Sequence, residues 1–235
     1  MRFGRLGAVL VSVVLVTGCA QMNKQAFNNQ ANVSLKSLAI SQPRIQDEYE
    51  TIVLGHPGMS FGLIGGLIAA ADMQSKTNKL TAVIEPKELK LQERFTSKLA
   101  ENLTKVGYTT EVVNIPKDVG DDQVVNFVKK NASTDAIITL KVRGSYMAAG
   151  PSTDYLPYIF INAKMHAKTG EILYEDNFTY GYAAQNMKSV HFASDPSYRF
   201  NTIDNLTADP AKTRESLIAG IDGIVDQIVL DLKRN

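Results

Sequence analysis

Apolar residues recur along this chain with two different periods. Leu91, Phe95, Leu99 and Leu103 stand four residues apart, and Val106 extends their line between Pro86 and Gly107. Such spacing marks one face of a helix, with Pro86 suited to the first turn and Gly107 to the carboxyl-terminal cap. Leu217, Ile221, Ile224, Ile228 and Leu232 form a second stripe, behind Asp209 as cap and Pro210 as first-turn residue. Val124, Phe127 and Val128 predict a shorter helix over about 121–131. Strands are predicted over Ser34 to Ser41, Tyr49 to Leu54, Leu80 to Ile84 and Tyr108 to Ile115. Ala136 to Val142 is nearly all apolar, as in a strand covered on both faces. Tyr158 to Met165 and the row Ile172, Tyr174, Phe178, Tyr180, Tyr182 flank Lys168-Thr169-Gly170-Glu171, which predicts an antiparallel hairpin. From residue 80 to 233 the predicted order is β-α-β-α-β-β-β-α. This describes an α/β fold, with a mixed sheet of about five strands and flanking helices. Between Ala183 and Thr207 the chain is polar, aromatic and without period, and is predicted to be an irregular loop.

Two stretches near the amino terminus follow other patterns. Arg2 and Arg5 precede an apolar run from Leu6 to Val16, about eleven residues long, followed by small residues. This is the layout of a secretory signal peptide, and the run is shorter than the roughly twenty residues a membrane span needs. The segment MSFGLIGGLIAAADM places Gly58, Gly62 and Gly66 at every fourth position among large aliphatics. Its favoured reading is a buried hairpin or loop in which glycines let the backbone bend. The alternative is a helix whose glycine stripe admits close packing against another subunit or shallow insertion into lipid.

Composition narrows the function classes. The chain has 235 residues, 44% of them apolar, and 25 basic against 24 acidic residues, so no charge excess advertises nucleic acid as a partner. One cysteine excludes internal disulfides and cysteine metal cages. That residue, Cys19, ends the sequence Val16-Thr17-Gly18-Cys19, which resembles the lipobox of bacterial lipoproteins. The resemblance implies cleavage before Cys19, a signal peptide over 1–18, and fatty acyl chains such as palmitate on Cys19. Several chains on one residue anchor far more firmly than one. Ala20 and Gln21 follow in place of the aspartate that retains such proteins in the inner membrane, which implies the periplasmic face of the outer membrane. Residues 19–32, rich in Asn and Gln, are predicted to form a flexible tether, and 33–235 a single periplasmic domain containing the Gly-rich segment 58–72.

The element order, with its Lys168–Ile172 turn and amphipathic last helix, resembles the envelope domains of the TolB amino-terminal and curli-secretion lipoprotein type. Those domains bind other proteins and carry no active site. The residues themselves point the same way. His56, His166 and His191 are scattered, with no i, i+4 ligand pair. Gly62-Leu63-Ile64-Gly65-Gly66 lacks the Lys-Ser or Lys-Thr of a phosphate loop, and no nucleophile elbow is present. Asp121 with Asp122 and Glu175 with Asp176 are adjacent and cannot face one cleft from a strand. The expectation is therefore a non-enzymatic lipoprotein without cofactor or metal, held to the membrane through Cys19 and binding an envelope protein. Tyr174, Phe178, Tyr180 and Tyr182 are the candidate partner-binding row, with the core face of a strand as the plainer reading. Gly58, Gly62 and Gly66 are the candidate packing or membrane contact. A self-associating structural lipoprotein is the alternative, and a cell-wall hydrolase the least favoured class.

Overall fold

A computed structural model describes residues 23–184 and 188–234. The signal peptide, Cys19 and positions 20–22 lie outside the described residues, as do 185–187 of the predicted loop.

The fold is a mixed α/β arrangement built on one seven-stranded sheet. Its spine is β4 (Ala136–Ala148), which pairs antiparallel with β5 (Leu156–Ala167), itself antiparallel to β6 (Ile172–Gly181). On its other edge β4 meets two strands in succession. β1 (Ser37–Gln42) pairs in parallel with its first residues, and β2 (Glu50–Val53) with Ser145 to Ala148. Beyond β1 lies β3 (Thr109–Asn114), also parallel, and beyond β6 the three-residue β7 (Val190–Phe192). The end of the sheet at which β4 finishes and β5 begins is called distal below.

Period-two alternation decides which residues enter the core. Ile138, Val142, Tyr146, Ile159, Ile161, Met165, Tyr174 and Phe178 are buried on the inner face. Three helices bury their stripes against them: α1 (Gly62–Thr81), α3 (Leu91–Lys105) and α6 (Pro210–Leu232). Leu91, Phe95, Leu99 and Leu103 are buried as the four-residue spacing predicted, and so are Leu217, Ile221, Ile224, Ile228 and Leu232. Asp209 caps α6 by accepting from the Lys212 N–H. Pro86 begins a separate turn, α2 (Pro86–Leu89), because Lys90 takes a left-handed conformation (φ 51°) before α3 starts. Among the described residues the outer face carries only the helix α4 (Val124–Asn131), over a small second cluster of Ala39, Val113, Val128 and Ile137.

Four expectations need correction. Leu80–Ile84 is no strand: Leu80 and Thr81 close α1, and Val83 and Ile84 donate back to the Leu80 carbonyl. Five residues of alternation cannot be told from the end of a helix that buries Gly65, Ala69, Thr77 and Leu80. The first strand of the predicted order is instead β1, and the sheet has seven strands where about five were expected. The Gly-rich segment is a helix, not a buried hairpin or loop. The irregular loop contains β7 and the helix α5 (Ile203–Ala208), whose Leu206 is buried. Finally, the described part of the predicted tether is docked. Gln25 and Glu175 exchange two backbone hydrogen bonds of 2.7 and 2.9 Å, and Phe27 packs on the core. An edge strand leaves unpaired backbone groups, and this polar segment satisfies some of them on β6.

Candidate functional site

The aromatic row on β6 is core. Tyr174, Phe178 and Tyr180 are buried, and Tyr182 is half-buried. The Tyr174 hydroxyl donates to Asp231 on α6 at 2.9 Å, and desolvation pushes the Tyr180 hydroxyl up to about 12. Gly220 of α6 sits so close that a Cβ would lie 2.4 Å from the Tyr180 ring. Tyr174 and Tyr180 hold the last helix to the sheet, and with Phe178 they are covered by the core and not available to a partner.

The glycine row divides in the same unforeseen way. Gly58 meets Gly65, not Gly62 or Gly66: a Cβ on Gly65 would lie 2.2 Å from the Gly58 carbonyl oxygen. Gly62 takes a positive φ of 62°, which turns the chain from the short 3-10 segment Pro57–Ser60 into α1. Gly66 faces open space. The close approach is therefore internal, and it folds Pro57–Ser60 back on the first turns of α1. His56 secures this corner. Its Nδ1 accepts from the Gly58 N–H at 3.1 Å, and its Nε2 lies 3.3 Å from Asp72. Lys76 pairs with the same carboxylate at 2.7 Å, and Lys76 and His56 together hold Asp72 below the usual carboxylate range.

What this corner presents to solvent is apolar. Phe61 is 74% exposed, Leu63 81%, Ile64 75%, Leu67 64% and Ile68 62%, with Met59 exposed beside them. No charged residue occurs between His56 and Asp72. Single exposed apolar residues are ordinary, but a contiguous group of this size marks a contact surface. Its exposure follows from helix length. Thr77 accepts from the Thr51 N–H of β2 at 2.9 Å, and Gly65 is twelve residues earlier. At 1.5 Å per residue that is about 18 Å of helix. The sheet beyond Thr51 continues for only two residues, about 7 Å. The first turns of α1 thus overhang the distal end, where no strand is present to cover them. Among the described residues no helix is long and apolar enough to cross a membrane.

The outer sheet face holds a groove beside the start of α4. One part, of about 310 Å³, lies between Arg44, Asp121, Lys141 and Arg143. An adjoining part of about 400 Å³ is lined by Asp122, Asn162, Lys164 and His166. Several of its charges are engaged: Lys164 with Glu175 at 2.8 Å, Lys141 with Asp121 at 3.6 Å, and Arg44 with the Pro116 carbonyl at 3.1 Å. Burial holds the His166 imidazole below its ordinary range, within 3.2 Å of Thr139. Glu175 and Asp176 do point to opposite faces, toward Lys164 and Lys24 respectively, whereas Asp121 and Asp122 line one groove, because Asp121–Gln123 is a 3-10 turn and not a strand. Among the described residues no group of three His, Cys, Asp or Glu side chains is placed to share a metal ion.

The amino-terminal segment also has a direction. Lys24 pairs with Asp176 at 2.7 Å, and the Asn177 side chain donates to the Asn23 carbonyl at 3.2 Å. Traced backward from Gln25 to Asn23, the chain runs along β6 toward the distal end. Three residues, 20–22, then separate Asn23 from Cys19.

No protein-family model matches the chain, and no curated protein resembles it in sequence. Among solved structures it is similar to a Xanthomonas campestris protein of the DUF330 family, at 10% identity over 83% of this chain and 84% of that one, with a TM-score of 0.38. A PelC dodecamer from Paraburkholderia phytofirmans matches at 9% identity over 65% and 74% of the two chains, TM-score 0.32. A minor lipoprotein from Acinetobacter baumannii matches at 11% identity over 61% and 88%, TM-score 0.32.

Proposed function

We propose that this chain is a lipoprotein of the bacterial cell envelope, acylated at Cys19 and facing the periplasm from the outer membrane. Its domain acts there as a non-enzymatic binding or assembly component. The observation that carries the reading is the sequence Val16-Thr17-Gly18-Cys19 behind two arginines and an apolar run. A short apolar run followed by a cysteine anchors a domain through acyl chains without a spanning helix. The docked segment Asn23–Gln25 supports the same reading in a second way. It leaves a link of three residues, so the domain is held close to the lipid and not on a long leash.

Growth with a fatty-acid analogue tests the anchor. Label is expected on the intact protein and on no Cys19→Ala variant, and that variant is expected to leave the membrane fraction. Label that persists on Cys19→Ala would overturn the assignment.

A further inference from the structure

We propose that the apolar overhang formed by Met59, Phe61 and the first turns of α1 is a second membrane contact, lying in the headgroup boundary of the bilayer that holds the acyl chains. The choice of that bilayer rests on the lipoprotein reading, while the contact itself is an independent property of the folded domain.

Three observations favour lipid over a second copy of the chain. The first is chemical. Leu63, Ile64, Leu67 and Ile68 cover a broad arc of helix surface with Phe61 and Met59 at its tip, and the chain bears no charge from Pro57 to Ala71. An apolar helix face of this kind embeds to a depth of about 5–10 Å in an interface. The second is shape. The overhang is a projection, and the groove on this molecule that could receive one from a partner is lined by Arg44, Asp121, Lys141, Lys164 and other polar groups. Six side chains are also far fewer than the roughly 20–30 residues a side of a specific protein interface. The third is direction. Asn23 lies beside Asn177, midway along β6, and the step from Gln25 to Asn23 points toward the distal end. The four chain steps from Asn23 to Cys19 reach at most about 14 Å. An anchor on so short a link keeps the bilayer within reach of the distal end, four residues of β6 beyond Asn177, which is the end the apolar helix overhangs. The corner is also built to stay in place, since His56, Asp72, Lys76 and the Gly58–Gly65 contact fix the 3-10 segment to the first turns of α1. Two points of contact, one covalent and one helical, then set the tilt of the domain on the membrane.

The chain contains no tryptophan, so one introduced residue reports alone. Phe61→Trp places it on the overhang. Leu230→Trp places it on an exposed site near the opposite end, where Tyr108 at the start of β3 bonds the Leu232 carbonyl. The acylated full-length mature protein is reconstituted into vesicles of phosphatidylethanolamine and phosphatidylglycerol, some brominated on their acyl chains. Phe61→Trp emission is expected to shift to the blue and to be quenched by the brominated lipid, with Leu230→Trp unchanged. Adding Leu67→Glu is expected to abolish the quenching. Phe61→Trp emission that stays red and open to iodide on vesicles would overturn the proposal. So would a blue shift that needs no vesicles and grows with protein concentration, which would assign the face to a second copy. Should Cys19 carry no label, the unacylated chain is mixed with the same vesicles and the same quenching is read, so the two ideas fail separately.

Discussion

The carboxylate of Asp135 accepts from the Lys36 and Ser37 N–H groups, each at 2.9 Å, and from the Ser37 hydroxyl at 2.8 Å. It fastens the start of β1 to the start of β4 across 98 residues of chain. These donors, the Lys36 N–H foremost, hold its carboxyl below the usual carboxylate range. A carboxylate whose folded pKa is depressed contributes stability above its ordinary pKa of about 3.9, and that contribution is lost as pH falls through the lower folded value. Asp135→Asn is therefore expected to lower stability at neutral pH and to flatten the acid limb of the stability profile below about pH 4. Urea denaturation across pH 2.5–7 reads both effects; a profile parallel to that of the unsubstituted protein would contradict the assignment. Sequence alone does not single out Asp135, because its partners come from a strand nearly a hundred residues earlier.

At the scale of elements, the join between β1 and β2 is the least ordinary feature. Both strands pair with the same edge of β4, and between Gln42 and Glu50 that edge is left without a strand. Gln46 fills the gap with its side chain: its Nε2 donates to the Gly144 carbonyl and its Oε1 accepts from the Gly144 N–H, both at 2.8 Å. A carboxamide offers one donor and one acceptor side by side, the same pair a neighbouring strand residue would supply. Gln92 reaches Gln46 and the Val142 carbonyl from α3, each at 3.2 Å. Gln46→Ala leaves two buried backbone groups unpaired and is expected to cost about 1–3 kcal/mol, measured as a lower urea midpoint with unchanged slope. A change under about 0.5 kcal/mol would show that water serves the edge as well. Helices α3 and α6 were legible in the sequence because their stripes are long and capped. The strand predicted at Leu80–Ile84 failed because so short a stretch fits two periods, and length favoured the helix.

For the molecule as a whole, one sheet runs through the structure and one large core unites α1, α3 and α6 with it. β1 must find β3 and β4 at a distance, as in Ser37 with Thr109 and Leu38 with Ala136. Pairings so far apart in the chain slow folding into the millisecond-to-second range or beyond. A shared core predicts one cooperative unfolding transition. Far-ultraviolet circular dichroism and the fluorescence of Leu230→Trp are expected to give coincident urea curves, and separated midpoints would show that the α6 side unfolds by itself.

Periodicity, caps and turn residues sufficed for the class of fold, the hairpin and the order of most elements, because each depends on neighbours within a few positions. Which apolar residues are covered depends on what lies across from them. Tyr174, Phe178 and Tyr180 are alternating aromatics that α6 happens to roof, so they became core. Phe61, Leu63, Ile64 and Leu67 are as apolar, yet they remain in solvent because α1 is longer than the sheet beneath it. Burial is a property of two surfaces brought together, and only the tertiary structure brings them together.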